Sequence, residues 1–253
     1  MSQAVNNFEE YSQYYNLLYK DKNYGVEVDY VIDLIKQYNQ GGQHILELGS
    51  GTGIHANLFA KKGYNVLGLE RSVNMVEIAS QKKSKNVQFQ IADITHFEVE
   101  KKFDIALSLF HVISYLTNNK QLISTFKNVF KSLNPGGLFI FDVWHSPAVY
   151  HQKPEKRTKT LKNNTIEVIR YANPIVFSEQ NTIEVNYEIN VREISTNKTS
   201  IIQEKHPMRH FSQPEIELLS FTTGFEVLNS EEFLTKNSPS VDTWGVCYIL
   251  KKL

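Results

Sequence analysis

The chain has 253 residues, enough for one elaborated domain or one domain with a large insertion. Lysine plus arginine and aspartate plus glutamate are equal at 27 each, so the bulk charge gives no reason to expect nucleic acid or an anionic membrane as a partner. Cys247 is the only cysteine, which excludes an intrachain disulfide and a cysteine-based zinc site.

The first fifteen residues are polar and acidic and do not read as a signal peptide. No apolar run approaches the roughly 20 residues of a membrane span, so a cytoplasmic protein is expected. Residues 8–39 mix aromatic and charged residues, then show Val26, Val28, Val31, Ile32, Leu34 and Ile35 at helical spacing, closed by Gln40-Gly41-Gly42. His44–Leu48 is a short apolar run bounded by glycines, hence a buried strand. A helix is expected over 54–62, ended by Gly63. Asn65–Glu70 is a second strand ending in an acid, and Ser72 caps a helix running to Lys83. Val87–Ala92 is a third strand, followed by Asp93, and Phe103–Phe110 is a fourth. Lys120–Leu133 is helical and Asn134-Pro135-Gly136-Gly137 stops it. Leu138–Val143 is a fifth strand.

Strand–helix alternation with short links implies an α/β fold, a parallel sheet with helices on both faces. Around residue 155 the pattern changes. Thr165–Tyr171, Thr182–Ile194 and Thr199–Lys205 are strand-like, with turn signals at Asn173-Pro174 and at 195–198. Ile183, Val185, Tyr187, Ile189 and Val191 alternate with polar residues, as in a half-buried antiparallel strand. Pro214–Thr223 reads as a helix with proline in its first turn, and Gly224 ends it. Phe225–Leu228 and Val246–Leu250 return to the first sheet. The chain therefore divides into 1–150, an N-terminal helical lid plus ligand-binding core; 151–212, an inserted antiparallel β substrate-binding part; and 213–253, the end of the core.

The stretch HILELGSGTG at 44–53 poses the ligand question. A glycine-rich turn between strand and helix lets backbone approach a ligand, and the helix start offers unpaired N–H groups. A P-loop would need a lysine where Ile54-His55 stand. A dinucleotide fingerprint wants G-x-G-x-x-G, whereas Gly49, Gly51 and Gly53 alternate. A loop for S-adenosylmethionine accounts for Glu47, since an acid there balances sulfonium and ammonium charge. Glu70 can accept from both ribose hydroxyls, and Asp93 from an adenine amino group. All lie at carboxyl ends of parallel strands, where open sheets bind ligands.

ILELGSGTG, Leu69-Glu70, Ala92-Asp93 and LNPGG at 133–137 closely resemble the class I S-adenosylmethionine-dependent methyltransferases over residues 42–143. The resemblance implies a Rossmann-like seven-stranded sheet of order 3-2-1-4-5-7-6, with the seventh strand antiparallel. It implies that Glu47, Gly49, Gly51, Glu70 and Asp93 bind the cofactor, with Ser50, Gly53, Arg71, Ile94 and Leu109 beside them. Tyr15-Asn16-Leu17-Leu18-Tyr19 with Lys22-Asn23-Tyr24 looks like the N-terminal segment of sugar N-methyltransferases acting on nucleotide-linked amino sugars. In those enzymes the tyrosines cover the methionine end, which implies that role for Tyr15, Tyr19 and Tyr24. SLFHVISYL at 108–116 matches the segment after their fourth strand. DVWHSPAVYHQKPEKR (142–157), HPMRHFSQPEIELL (206–219) and DTWGVCYIL (242–250) resemble methyltransferases of polysaccharide gene clusters.

His111 departs from the amino-sugar enzymes, which usually have a small residue there. Methyl transfer is an in-line displacement, so positioning carries much of the catalysis. A neutral amine attacks unaided, whereas a hydroxyl benefits from a base such as imidazole. His111 and Tyr19 are the expected catalytic pair: a base or acceptor-orienting group and a lid over the methyl site. Tyr115, Trp144 and His145 are expected at the acceptor. Trp144 and His145 fall just behind strand five, where an indole can stack on a sugar. His206, Arg209 and His210, joined by Arg157, are expected to form a cationic cluster after the inserted strands that grips an anionic part of the substrate. No metal constellation emerges.

The expected partner is a small acceptor, saccharide or nucleotide-linked, methylated at N or O. Nucleic acid and membrane are not expected, and a homodimer is allowed. A cofactor-binding module without turnover and an NAD-dependent oxidoreductase are the other classes carried forward.

Overall fold

The computed structural model describes residues 12–39 and 41–253. The aromatic start of the first helical segment at 8–11, the opening stretch read for a signal peptide as far as residue 11, and Gln40 of the Gln40-Gly41-Gly42 stop lie outside the described residues.

Two short helices open the described chain, α1 (Ser12–Leu18) and α2 (Tyr24–Tyr38). Asn23 caps α2 by accepting from the Val26 N–H at 3.2 Å. The alternating part follows as β1 (His44–Leu48), α3 (Ile54–Lys61), β2 (Asn65–Glu70), α4 (Val73–Gln81), β3 (Val87–Ile91) and β4 (Phe103–Ser108). A 3₁₀ turn (Val112–Tyr115) leads to α5 (Asn119–Ser132), β5 (Leu133–His145) and α6 (Ser146–Gln152). The insertion is β6 (Arg157–Lys162), β7 (Ile166–Phe177), β8 (Thr182–Glu193) and β9 (Thr199–Phe211). Then α7 (Gln213–Thr223), β10 (Phe225–Glu232) and β11 (Gly245–Lys252) complete the core.

Strands β3-β2-β1-β4-β5 are parallel neighbours, β11 pairs antiparallel with β5, and β10 with β11. This is the expected order 3-2-1-4-5-7-6. Two apolar layers sandwich the sheet. One gathers Leu46, Leu48, Phe126, Phe139, Phe141 and Tyr248; the other gathers Val31, Ile35, Ile45, Phe59, Ile105 and Ile140. Alternate residues of β1 and β5 thus enter opposite layers, as the period of a strand requires. Sheets buried on both faces read as continuous apolar runs, which is why these strands were legible.

The insertion is an antiparallel meander, β6-β7-β8-β9. Its last strand meets the end of β5 in parallel through Trp144↔His210 and His145↔Phe211. Three local expectations change. Asn173-Pro174 is not a turn: β7 continues through it to Phe177. β6 pairs only as far as Ala172, so past that point one edge of β7 is open and a proline without its N–H is tolerated. Asn134-Pro135-Gly136-Gly137 stops the helix but lies inside β5, where Leu133 already pairs with Phe103 and the register slips before Ile105. Trp144 and His145 are therefore the last residues of β5 rather than residues behind it.

Gly53 shows how tightly the first crossover is packed. Its φ is +75°, and a Cβ added there would lie 2.4 Å from Phe89 Cζ and 3.0 Å from Ala79 Cβ. Gly53→Ala is expected to lower stability by about 2–4 kcal/mol, from left-handed strain plus overpacking, read as a fall in the urea midpoint at unchanged slope.

Candidate functional site

A cavity of about 460 Å³ opens at the carboxyl ends of β1, β2, β3 and β4. Its floor begins with Gly49–Thr52. Gly49 has φ +66°, and a Cβ there would lie 2.6 Å from Val112, so backbone and the 3₁₀ turn are in direct contact. The Gly51 N–H donates to Glu70 Oε2 at 3.0 Å and the Ser72 N–H to Glu70 Oε1 at 2.8 Å. These two bonds fix the carboxylate at the rim, and each oxygen keeps a second acceptor position. Asp93 Oδ1 accepts from the Thr95 N–H at 2.8 Å and its hydroxyl at 2.7 Å. Arg71, Ile94 and Leu109 also line this half.

Glu47 lies beneath the loop rather than on the cavity wall, 2 % exposed. His55 Nδ1 is 3.8 Å from its Oε1, and the ring's Nε2 is 2.7 Å from Glu27 Oε2. Burial first, and the Glu70 charge second, push the Glu47 carboxyl up to about 8, against a backbone bond from Ala56. Its Oε2 and the Ser50 hydroxyl are buried without a hydrogen-bond partner. A buried acid so placed suits a cationic ligand, which fits a sulfonium cofactor with an ammonium group.

Across the cavity stand Phe110 and His111, both with positive φ, 67° and 60°. Two successive non-glycine residues in this region store strain, which collects at functional sites. The cause is visible in β5. Asp142, 1 % exposed, faces the turn, and His111 Nδ1 lies 2.7 Å from its Oδ2. The His111 N–H also donates to Oδ1 and Oδ2 at 3.3 and 3.2 Å. Burial opposes ionisation of Asp142, but the ring and N–H of His111 prevail and hold its carboxyl below the usual range. Nδ1 thus faces the carboxylate, and Nε2 is the other ring nitrogen of a side chain that lines the cavity.

Tyr15, Tyr19 and Tyr24 close the cavity from the N-terminal side. Tyr19 meets Tyr15 at 4.8 Å and the edge of Phe110 at 5.0 Å between ring centroids. Trp144, Arg157, Tyr187, His206 and Met208 form the remaining wall, four of them from the insertion.

Residues 45–137 match the family model described as "Methyltransferase domain". The protein is an S-adenosylmethionine-dependent methyltransferase. It is 26% identical over 249 residues to an inferred methyltransferase of Geobacillus sp. (strain WCH70), covering 97% of this chain and 99% of that one. It is 26% identical over 143 residues to the dTDP-3-amino-3,4,6-trideoxy-alpha-D-glucopyranose N,N-dimethyltransferase of Streptomyces venezuelae, covering 56% and 60%. The S-adenosylmethionine-bound amino pentose methyltransferase of Micromonospora echinaspora superposes with a TM-score of 0.76 at 18% identity, covering 97% and 98%. No helix among the described residues is long and apolar enough to cross a membrane.

The expected cationic cluster of the methyltransferase does not form. His206, Arg209 and His210 belong to β9 itself, and a strand sends successive side chains to opposite faces. His206 joins the cavity. Arg209 turns away to pair with Glu215 and donates to Asn119 Oδ1 at 2.8 Å. His210, fully buried, contacts Ser146 Oγ at 2.8 Å, and burial, aided by Arg209, lowers its imidazole to about 4. His145 is buried against the Ser240 and Thr243 backbone, and neither it nor His210 lines the cavity. Arg157 does line it, at the start of the unexpected β6.

Sequence reasoning missed Asp142 and the cavity-facing role of Tyr187. For Asp142 a signal existed: one acid inside the apolar run FIFDVW demands a buried partner. Tyr187 sat in an apolar alternation that reads the same whether it faces a core or a cavity.

Glu47 carries a pH signature. Its pKa is raised in the folded chain, so the native state binds the extra proton and stability falls as pH rises from about 4.5 toward 8. The cofactor-free protein is expected to show that decline in its urea midpoint. In Glu47→Gln the decline should flatten over the same window.

Proposed function

We propose that this methyltransferase transfers its methyl group to N or O of a nucleotide-linked sugar or related saccharide precursor in the cytoplasm. The observation carrying this reading is the shared cavity: the wall built by β6, β8 and β9 continues from the cofactor loop past His111. The amino-sugar activities of two similar proteins support it.

In this reading Gly49, Ser50 and Gly51 cradle the methionine end of S-adenosylmethionine, Gly53 holds the loop, and Glu47 balances its cationic charge. Glu70, with Arg71 beside it, accepts from the ribose, and Asp93, with Ile94 and Leu109, receives the adenine. Tyr15, Tyr19 and Tyr24 exclude water from the methyl site. When bound, the cofactor supplies an electrophilic sulfonium methyl. His111 Nε2 takes the acceptor's proton, and Asp142 orients the ring and balances the imidazolium that results. Trp144 offers a flat apolar face for a sugar ring. Arg157, exposed at the rim, is available to an anionic group such as a diphosphate.

A panel of nucleotide-linked amino sugars and their hydroxyl counterparts, followed by mass spectrometry, tests the reading. The expected result is a mass gain of one or more methyl groups on at least one acceptor. His111→Ala is expected to lower kcat by about 10²–10⁴-fold, and Asp142→Asn to act in the same direction. A chain that binds S-adenosylhomocysteine yet methylates nothing in the panel rejects the acceptor class. Full turnover by His111→Ala from pH 6 to 9 rejects the base.

A further inference from the structure

Behind the N-terminal wall of the cavity lies a buried ion pair that touches both the cofactor loop and the turn carrying His111. Lys22 stands between α1 and α2, where its N–H donates to the Tyr19 carbonyl at 3.0 Å and its own carbonyl accepts from the Tyr24 N–H at 3.1 Å. Tyr19 and Tyr24 reach the cavity, whereas the Lys22 side chain, 13 % exposed, does not. Its ammonium pairs with Glu27 in the first turn of α2. It also lies over two ring faces, 4.3 Å from the centroid of Phe110 and 4.7 Å from that of Tyr24. Both rings line the cavity.

The pair reaches the cofactor loop through its anion. Glu27 Oε2 lies 2.7 Å from Nε2 of His55, which stands in the first turn of α3 directly after the glycine turn. The His55 ring in turn packs edge-on against Tyr24 at 4.9 Å between centroids. Burial opposes ionisation of Glu27, but His55 and Lys22 prevail and hold its carboxyl below the usual range. A buried ion pair adds little stability over apolar packing, so its place behind a ligand cavity points to a role there. The unpartnered atoms nearby indicate which role. Tyr24 Oη, Ser50 Oγ and Glu47 Oε2 are buried with no hydrogen-bond partner among the described residues. Buried polar groups are normally paired, so these three suit the charged amino-acid end of a ligand.

We infer that Lys22 and Glu27 are positioning residues for the methionine end of S-adenosylmethionine. One buried ammonium fixes the Tyr24 and Phe110 rings relative to each other, and its carboxylate partner fixes His55 against the glycine turn. This wall is then ordered before the cofactor arrives, which lowers the entropy cost of binding. The effect is confined to one end of the ligand, because Tyr24, His55 and Phe110 gather at the glycine turn and the turn after β4. Glu70 and Asp93 stand elsewhere, at the ends of β2 and β3. The inference rests on the placement of the cofactor proposed above.

Calorimetry with two cofactor-derived ligands tests it without any acceptor. S-adenosylhomocysteine carries the amino-acid end, and methylthioadenosine keeps the nucleoside and lacks that end. Lys22→Met keeps the length of the side chain and removes its charge. The double variant, Lys22→Met with Glu27→Gln, also removes the anion that would be left buried, and it decides the matter if the single variant does not fold. Both are expected to bind S-adenosylhomocysteine about tenfold more weakly than the wild type, and methylthioadenosine within about twofold of it. Lys22→Arg keeps a cation that stacks on rings and is expected to hold S-adenosylhomocysteine within about threefold of the wild type. Equal losses for the two ligands mark a merely structural pair and overturn the proposal. Unchanged binding in the double variant, or a Lys22→Arg variant as weak as Lys22→Met, also overturns it. A wild type that binds both ligands equally rejects the placement of the amino-acid end itself, and the proposal with it.

Discussion

The parallel direction of β1 to β5 is the constraint from which the site follows. In a parallel sheet every strand delivers its carboxyl end to the same edge, so the loops after successive strands converge whatever their sequence. The glycine turn after β1, Glu70 at the end of β2, Asp93 after β3 and His111 after β4 meet at one cavity for this reason. The direction is in turn stabilised by burial on both faces, where apolar residues of adjacent strands enter the two layers around the sheet. A one-residue slip of β1 would send Glu47 into a layer and expel Leu48, which fixes the register as well as the direction.

Besides Glu27, three buried carboxylates lie behind the cavity wall, and each is stabilised differently. The ring and backbone N–H of a single residue, His111, offset the cost of burying Asp142, and the left-handed backbone at His111 is the strain that brings them there. Glu204 is offset by an imidazole two residues away on its own strand. Glu47 has the weakest support, a histidine nitrogen at 3.8 Å and a backbone bond, and burial raises its proton affinity, whereas the contacts from His111 lower that of Asp142. The three acids also differ in their partners: Asp142 and Glu204 each face an imidazole nitrogen, whereas Glu47 Oε2 has no hydrogen-bond partner among the described residues.

The legibility of the sequence followed the range of the interactions. The glycine turn, Glu70 and Asp93 were legible because their positions are local: each is the residue after an apolar run. Ser72 was legible as a cap for the same reason, its hydroxyl accepting from the Met75 N–H at 3.3 Å. The insertion was legible as antiparallel strands through the alternation of β8. Which cations it would aim at the cavity was not. His206, Arg209 and His210 lie close in sequence, yet strand period and the meeting of β9 with the end of β5 send them to three different surroundings. His111 and Asp142 are separated by α5 and most of β5, so their pairing appears only once β4 and β5 are adjacent.

The same long-range logic joins the N-terminal helical segment to the insertion. Lys159 of β6 donates to the Leu18 carbonyl at 2.7 Å, and Arg170 of β7 donates to Tyr19 Oη at 3.3 Å. Arg170 also lies 5.0 Å from the Tyr187 ring centroid and 5.8 Å from that of Tyr19, between the two cavity-lining tyrosines. Leu18 itself is fully buried with Leu161, Val168 and Ile189 of the insertion. This end of the N-terminal segment is therefore tied to the inserted strands, while Tyr24 packs on His55 just after the glycine turn. A displacement of Tyr19 would therefore be felt at Arg170 and Tyr187, which couples the N-terminal side of the cavity to the wall built by the insertion.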